Sequence, residues 1–154
     1  MIKAYTDGAC LGNKKNSGYG GWAYMMTYGE RTTEHKGSLP GTTNNAMELM
    51  AIAEALEHIK PREKEAKWDV TIYTDSQYSI NVITTWSKET THKERPNMQL
   101  IERCAKAAKR HNVTFVKIKG HSGIAENEHV DHLASVAAAL ERDKEEVKFE
   151  LLRS

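Results

Sequence analysis

Four acidic residues of this chain each fall at or near the end of a different predicted element. Asp7 closes a predicted N-terminal strand, and Asp75 ends a second one. Glu48 falls early in a predicted helix, and Asp131 lies within the first two turns of the last helix. Four carboxylates in one cleft repel one another and are costly to ionise unless divalent cations neutralise them. We therefore expect an oxygen-lined site for two divalent cations, of the kind that assists hydrolysis of phosphate esters.

Each acid belongs to a longer motif, and a fifth motif contains a histidine. The motifs are TDGACLGN at residues 6–13, TTNNAMEL at 42–49, TDSQY at 74–78, KGHSG at 119–123 and NEHVD at 127–131. Together they resemble the motifs of type 1 ribonuclease H, in that family's order, over about residues 4–137. A single Thr-Asp-Gly or Asp-Ser would mean little, because short polar pairs are common at strand ends. Five motifs in order are a specific signal.

This resemblance implies an endonuclease that hydrolyses the RNA strand of RNA/DNA hybrids and leaves 5′-phosphate and 3′-hydroxyl ends. The four matching carboxylates, Asp7, Glu48, Asp75 and Asp131, are then the ligands of two Mg²⁺ ions, for which Mn²⁺ is a possible substitute. His121 matches a family histidine with an accessory role, since an imidazole can relay a proton or assist product departure. On sequence alone, a solvated loop histidine is the alternative for His121.

Amide side chains flank three of the four acids. Amides both donate and accept hydrogen bonds, which suits a ribose 2′-hydroxyl and base edges in a minor groove. The resemblance implies that they contact successive 2′-hydroxyls of the RNA strand, although each one also suits a turn or a helix cap. The residues are Asn13, Asn44, Asn45 and Gln77, and Asn44 is expected to cap its helix as well.

Further residues match family positions that contact the substrate. Thr43 and Asn97 resemble members of the pocket that grips a phosphate of the DNA strand. Cys10 matches a contact with the substrate strand, and a small buried hydrophobic residue is an equally good interpretation. Trp86 is expected to pack either on a deoxyribose or in the core.

The chain departs from the family at two places that affect substrate binding. Many members insert a basic, Trp-containing segment after the helix that ends near Trp86, whereas residues 88–95 here carry three Lys or Arg against two Glu. Gly41 stands where the phosphate pocket often has an arginine, so a bidentate contact is missing. Lys14 and Lys15, beside the first motif, are expected to offset part of this loss. We expect weak hybrid binding, because phosphate neutralisation supplies much of the affinity.

The hydrophobic pattern predicts the elements that must position these residues. We expect an α/β, ribonuclease H-like fold: a five-stranded mixed sheet flanked by helices in the order βββαβαβα, with helices 76–86 and 98–111 in one connection. Pro40 and Gly41 are expected to end the third strand. The predicted strands are 2–7, 22–28, 31–37, 70–74 and 113–118; the predicted helices run from 42–45 to just before Pro61 and over 76–86, 98–111 and 125–141.

Length and composition indicate one globular domain. The 154 residues are 39% hydrophobic and 28% charged with a net charge of +1, so any basic surface must be local. We expect a single domain over residues 1–141, a charged, mobile tail over 142–154, a monomer and no membrane association. We expect no signal peptide, because the first residues are predicted to enter a strand at once. Cys10 and Cys104 permit one disulfide at most. These features favour a cytoplasmic protein with reduced cysteines.

Two other functions are open on sequence alone. A related enzyme could cut DNA, as resolvases and transposases do with acidic triads, but the amides around the site and the absence of an added DNA-binding segment disfavour it. A module that binds hybrids without cutting them is disfavoured because all four acids are present. Cleavage assays on matched RNA/DNA, RNA/RNA and DNA/DNA duplexes would discriminate among the three.

Overall fold

The strands of this chain form one five-stranded mixed sheet, which confirms the predicted fold class. A computed structural model describes residues 1–12, 18–63, 66–87 and 96–153. The strands are β1 (Ile2–Leu11), β2 (Gly18–Tyr28), β3 (Arg31–Thr42), β4 (Asp69–Thr74) and β5 (Asn112–Lys117), and the helices are α1 (Asn44–His58), α2 (Gln77–Thr84), α3 (Met98–Lys109) and α4 (Ala125–Arg153).

The sheet has the order β3-β2-β1-β4-β5 and combines two kinds of pairing. β1, β2 and β3 form an antiparallel meander, in which Gly29 turns the chain between β2 and β3 with a φ of 59°. β4 pairs in parallel with β1, and β5 pairs in parallel with β4. Parallel neighbours need a crossover connection. α1 supplies the first crossover, and α2 and α3 together supply the second.

Helices cover both faces of the sheet. On one face, Leu49 and Ile52 of α1 pack with Ala4 of β1 and Ile72 of β4 in the main core, to which α3 also contributes. On the other face, α4 packs its buried apolar residues against Ala23 of β2. Successive strand residues point to opposite faces. Neighbouring strand residues can therefore belong to the two separate clusters.

Three strands extend further than predicted, and one of them, β2, begins at Gly18 instead of Trp22. β1 continues past Asp7 to Leu11, because β2 pairs with it along its whole length. β3 continues through Pro40 to Thr42, although Pro40 and Gly41 were expected to end it. β3 lies at the edge of the sheet, where a proline can be accommodated without removing a ladder hydrogen bond, and the pairing shifts register between Gly18 and Gly20 opposite this segment.

The largest difference from the sequence prediction is at the C-terminus. The last helix was expected to end at Glu141 before a mobile tail, but α4 continues to Arg153. Residues 142–153 contain no Gly or Pro and are rich in Glu, Lys, Arg and Leu, which favour helix. Within the described ranges, no helix is long and apolar enough to cross a membrane.

Candidate active site

The central strands bring Asp7 and Asp75 to the same edge of the sheet. The parallel pairing of β1 with β4 runs from Ile2 opposite Val70 to Tyr5 opposite Tyr73. The rings of Tyr5 and Tyr73 are stacked, with centroids 4.6 Å apart. Each aspartate lies two residues beyond its tyrosine, so the two carboxylates emerge side by side where the central strands separate.

Glu48 reaches this edge from α1 because the helix packs closely on β1 at Gly8. Thr43 caps α1, with its Oγ1 accepting a hydrogen bond from the Ala46 N–H at 3.2 Å. The Gly8 N–H donates to Oε1 of Glu48 at 2.8 Å. A Cβ on Gly8 would overlap the backbone of Met47 and Glu48. The missing side chain therefore lets the helix deliver the carboxylate to the strand.

Asp131 comes from the opposite face of the sheet, in the second turn of α4. α4 can approach β2 closely because Gly21 has no side chain, and a Cβ there would overlap the backbone of Ala134 and Ala138. Two glycine contacts, one on each face, thus set how close the helices stand to the carboxylate cluster.

The four predicted acids meet in one cavity of about 370 Å³. Carboxylate oxygens of Asp7, Glu48 and Asp75 lie within 4.8 Å of one another, and Asp131 lines the same cavity. Asp7 and Glu48 are only 4% and 3% exposed, whereas Asp75 and Asp131 are half-buried. The remaining lining residues are Gly8, Asn44, Asn45, Ser76, Gln77 and Tyr78.

The electrostatics of this cluster oppose full ionisation of its acids. The pKa of Asp7 is raised to about 7, and burial is the main cause. The charges of Asp75 and Asp131 act in the same direction, whereas a hydrogen bond with Glu48 opposes the shift. Burial, and then the charge of Asp7, raise the pKa of Glu48 well above its usual range. The pKa of Asp75 is also raised, chiefly by burial, although the positive charges of His121 and Lys117 oppose the shift.

The donor set fits a hard divalent cation. Carboxylate oxygens are the ligands that Mg²⁺ and Mn²⁺ prefer. Oε2 of Glu48 is buried and has no hydrogen-bond partner among the described residues, whereas its Oε1 is held by Gly8. A cation near this oxygen would satisfy it and would offset the repulsion among the acids.

His121 lies beside the carboxylates on an exposed loop. Its φ of 57° is in the left-handed region, and the following Gly123 has a φ of 85°. It lines a small cavity of about 20 Å³ together with Asp7, Asp75 and Asp131. The imidazole is therefore placed at the solvent side of the cluster, where it could exchange protons with water.

Three of the predicted substrate amides surround the cavity. Asn44 and Asn45 occupy the first turn of α1, and both are exposed. Gln77 begins α2, where its Nε2 donates to Oδ1 of Asn81 at 2.7 Å. The prediction that Asn44 caps α1 is wrong, because Thr43 is the cap. Asn44 is thereby free to face the cavity.

The other predicted contacts lie further out. Asn97 precedes α3, and its Nδ2 donates to the hydroxyl of Tyr78, a cavity residue, at 3.3 Å. Cys10 is half-buried, with Sγ 3.5 Å from the carbonyl oxygen of Thr42, and does not line the cavity. Trp86 packs on the main core and lines a different cavity. Asn13, Lys14, Lys15 and the segment 88–95 lie outside the described residues.

Sequence reasoning missed three residues at this site: Gly8, Tyr78 and Asn127. A glycine inside a strand pattern is a sign of close backbone approach, and that signal was present at Gly8. Asn127 precedes Asp131 by four residues, which places the two on one helix face. Its side chain is buried, and its Oδ1 has no hydrogen-bond partner in the part of the chain that the structure describes. Tyr78 carried no signal of its own.

Comparisons with known proteins agree with this architecture. The RNase H family model matches residues 1–139. The Ribonuclease H of Francisella tularensis subsp. novicida (strain U112) is 43% identical over 146 residues, which cover 90% of this chain and 91% of that protein. The Ribonuclease H of Prosthecochloris aestuarii (strain DSM 271 / SK 413) is also 43% identical, over 145 residues, with coverage of 88% and 94%.

Solved structures show the same fold. LC9-RNase H1, described as a type 1 RNase H with the type 2 active-site motif, superposes with a TM-score of 0.78 at 29% identity and covers 91% of this chain and 72% of its own. LC11-RNase H1 in complex with RNA/DNA hybrid has a TM-score of 0.69 at 24% identity, with coverage of 90% and 97%. The fold is thus that of a nuclease family. The chain belongs to the ribonuclease H family and is an enzyme of that family.

Proposed function

We propose that this ribonuclease H cuts the RNA strand of RNA/DNA hybrids internally and leaves 5′-phosphate and 3′-hydroxyl ends. The observation that carries the proposal is the single cavity in which Asp7, Glu48, Asp75 and Asp131 meet beside three amide side chains. The hybrid named for the LC11-RNase H1 complex, which has the same fold, supports this choice of substrate.

The four carboxylates would hold two Mg²⁺ ions, with Mn²⁺ as a possible substitute. Bound divalent ions activate a water for attack on phosphorus and stabilise the leaving 3′ oxygen. The protein contributes a fixed ligand set. Asp7 and Asp75 are attached to paired strands, and the Gly8 N–H holds one oxygen of Glu48, which leaves the other oxygen for the metal. Asp131 completes the set from α4.

His121 would act as an accessory proton relay. Its exposed loop lies beside Asp7, Asp75 and Asp131, which supports a place for the ring between solvent and a phosphate bound at the carboxylates. An imidazole titrates near neutral pH, so it can take up a proton and release it during turnover. Its positive form also lowers the pKa of Asp75, which helps that carboxylate stay ionised.

The amides would select RNA on the strand that is cut. Asn44, Asn45 and Gln77 line the cavity mouth and can pair with a ribose 2′-hydroxyl, which donates and accepts as an amide does. By their place in the first motif, Asn13 and Cys10 would make similar contacts. On the DNA strand, Thr43 and Asn97 would grip a phosphate, and the half-buried Trp86, which also packs on the main core, would contact a deoxyribose. Lys14 and Lys15, close to Asn13, would add positive charge.

We also propose that the protein acts as a monomer in the cytoplasm. Cys10 and Cys104 are both free thiols, which suits a reducing compartment. Burial raises the pKa of the Cys104 thiol to about 12, so this residue is an inert core group and not a reactive one.

The deciding experiment compares matched RNA/DNA, RNA/RNA and DNA/DNA duplexes with and without Mg²⁺. We expect cleavage of the RNA strand in RNA/DNA alone, dependent on the metal, and products that a 5′-phosphate-dependent exonuclease degrades. Cleavage of DNA/DNA would favour a resolvase-like nuclease. Binding of RNA/DNA without cleavage under Mg²⁺ or Mn²⁺ would favour a non-catalytic module.

A further inference from the structure

The second half of α4 carries an apolar stripe that leaves the folded core. The apolar residues Leu133, Ala137, Leu140, Val147 and Leu151 are spaced by four, three, seven and four residues, and Lys144 occupies the position inside the seven-residue step. This spacing keeps them on one side of the helix, with a period close to the 3.5 residues found where one helix packs along another. Leu133 and Ala137 pack on the sheet, but Leu140, Val147 and Leu151 are 51%, 59% and 72% exposed. These exposed positions all lie beyond residue 139, where the match to the family model ends.

The exposed part of the stripe forms the floor of a groove of about 640 Å³. The buried Ala137 forms one end of the floor and the exposed Leu140, Val147 and Leu151 form the rest, while residues 36–38 of the edge strand β3 line one wall. From Ala137 to Leu151 the floor is about 21 Å long at the rise of an α-helix, which matches about two heptads of a second helix. A strand would not interdigitate with positions spaced in this way.

The rim of this groove is mainly cationic. The charged residues that line it are Lys36, Lys144, Lys148 and Asp143. Asp143 already accepts hydrogen bonds from Arg142 at 3.4 Å, and Nζ of Lys144 lies 4.0 Å from a carboxylate oxygen of Glu141. These contacts are exposed and therefore weak. The excess of lysine favours an occupant that carries negative charge beside its apolar face.

We propose that this α4 groove, between the second half of α4 and β3, docks an acidic amphipathic helix of a partner protein. The partner would present leucine-like residues at positions i, i+3 or i+4, and i+7 to the floor, with Glu or Asp against the lysines. A second copy of this chain is the less suitable occupant. A two-fold pairing of identical surfaces would bring the same lysine-rich rim against itself.

The groove begins at Ala137, six residues beyond Asp131 on α4, and extends away from the carboxylate cavity, with which it shares no lining residue. The carboxylate of Asp131 belongs to the second turn of α4, whereas Val147 lies 16 residues further along the same helix, about 24 Å away at 1.5 Å per residue. A docked helix therefore leaves the cavity open. The inference does not depend on the proposed substrate. A partner that is itself bound near a substrate would raise the local concentration of this nuclease there, although the nuclease has few basic contacts of its own.

The test uses synthetic probes on the full chain. The first is a fluorescent 18-residue peptide with Leu at the heptad a and d positions and Glu elsewhere; the second is a scrambled isomer, and the third has Lys in place of Glu. Anisotropy titrations should show at least tenfold tighter binding of the acidic amphipathic peptide than of either control. The double variant Val147→Glu with Leu151→Glu should weaken that binding at least tenfold.

Matched variants separate docking from nonspecific effects. Leu152 is 79% exposed on the same helix but does not line the groove, so Leu152→Glu should change binding less than twofold. The double variant Lys144→Glu with Lys148→Glu should weaken binding of the acidic peptide and strengthen binding of the lysine peptide. Melting curves and hybrid cleavage should match the parent in every variant, which keeps this result distinct from a failure of the proposed function.

Two outcomes would overturn the proposal. Equal binding of the acidic peptide and its scrambled isomer would show that the groove does not recognise an amphipathic helix. Concentration-dependent association of the protein alone, measured by sedimentation and abolished by Val147→Glu with Leu151→Glu, would identify a second copy as the occupant.

Discussion

The floor and the rim of the carboxylate cavity are built in different ways. On the floor, Asp7 and Glu48 are buried and held by a strand, a helix and the Gly8 N–H. On the rim, Asn44, Asn45 and Gln77 are exposed at helix starts. The difference teaches that the fold preorganises the proposed metal ligands, whereas the proposed substrate contacts can adjust to a bound hybrid.

The largest expected effect comes from removing a ligand on the floor. Asp7→Asn or Asp75→Asn should reduce hybrid cleavage roughly a thousandfold or more, because metal ligation supplies several kcal/mol and each 1.4 kcal/mol is about tenfold. Circular dichroism should show an unchanged fold. Cleavage within tenfold of the parent under saturating Mg²⁺ would mean that the substituted residue is not a ligand.

The same floor should make the metal-free protein sensitive to pH. The pKa of Asp7 is raised from 3.8 to about 7, so the folded state binds this proton more tightly than the unfolded state does. Its contribution to stability is therefore present below about pH 4 and is lost as the pH rises to about 7. The loss is at most about 4 kcal/mol, since one pKa unit corresponds to about 1.4 kcal/mol.

Urea denaturation in EDTA between pH 4 and pH 8 measures this effect. Asp7→Asn should show a shallower fall in stability than the parent and should be the more stable protein above pH 7. Excess Mg²⁺ should reduce the fall in the parent, because the cation binds the ionised cluster. Parallel pH profiles for the two proteins in EDTA would contradict the repulsion argument.

The next prediction concerns the close contact between α1 and β1 at Gly8, which holds Glu48 in the floor. Gly8→Ala should destabilise the protein by about 3 kcal/mol, because the added Cβ overlaps the backbone of α1 and overpacking typically costs 1–3 kcal/mol. Activity should fall as well, since Glu48 moves with the helix. Lys3→Ala, an exposed change on the same strand, should alter stability by less than about 0.5 kcal/mol. Equal stability of Gly8→Ala and the parent would show that α1 can move away from β1 without a cost in folding free energy.

The sequence predicted the carboxylates of the floor better than the contacts that hold them in place. Asp7 and Asp75 could be placed together because parallel strands end at a common edge, although β1 itself runs on to Leu11. Gly8 was missed because the closeness of α1 to β1 depends on packing across the sheet and not on local pattern. The cap of α1 was shifted by one residue to Thr43, since neighbouring Thr and Asn are both good caps.

At the C-terminus, the sequence predicted the secondary structure itself wrongly. Residues 142–153 looked like a charged tail because their apolar residues are few, yet they continue α4. Charged residues with long side chains favour helix as strongly as many apolar ones do, so composition alone could not separate a tail from an exposed helix. The α4 groove became visible only when that helix was seen beside β3.

His121, at the edge between floor and rim, should have an intermediate effect. His121→Ala should slow cleavage about a hundredfold while leaving measurable activity, because general acid–base assistance is removed but the ligand set is intact. A pH–rate profile should lose the limb that corresponds to an imidazole. A loss as complete as that of Asp7→Asn would instead make His121 a primary catalytic or metal-binding group.

The smallest effects are expected on the rim and beyond it, in binding rather than in chemistry. The protein has a net charge of +1, a weakly basic segment at residues 88–95, and Gly41 at the position where the resemblance implies a phosphate pocket, so it offers few cations to neutralise phosphates. Hybrid binding should be weak and should depend only shallowly on salt, since each phosphate contact contributes about 0.9 to the slope on duplex DNA. Titrations in the Asp75→Asn background avoid cleavage during the measurement.

Two changes in that background test where the affinity comes from. Lys14→Ala with Lys15→Ala should weaken binding severalfold and lower the salt slope by about 2, whereas Lys60→Ala, at the opposite end of α1 from Asn44, should do neither. A basic arm grafted between Trp86 and Asn97 should tighten binding and steepen the slope. Nanomolar binding by the parent at physiological salt, unaffected by Lys14 and Lys15, would mean that neutral contacts of the rim supply the affinity, and that the contrast between a fixed floor and a weak rim is wrong.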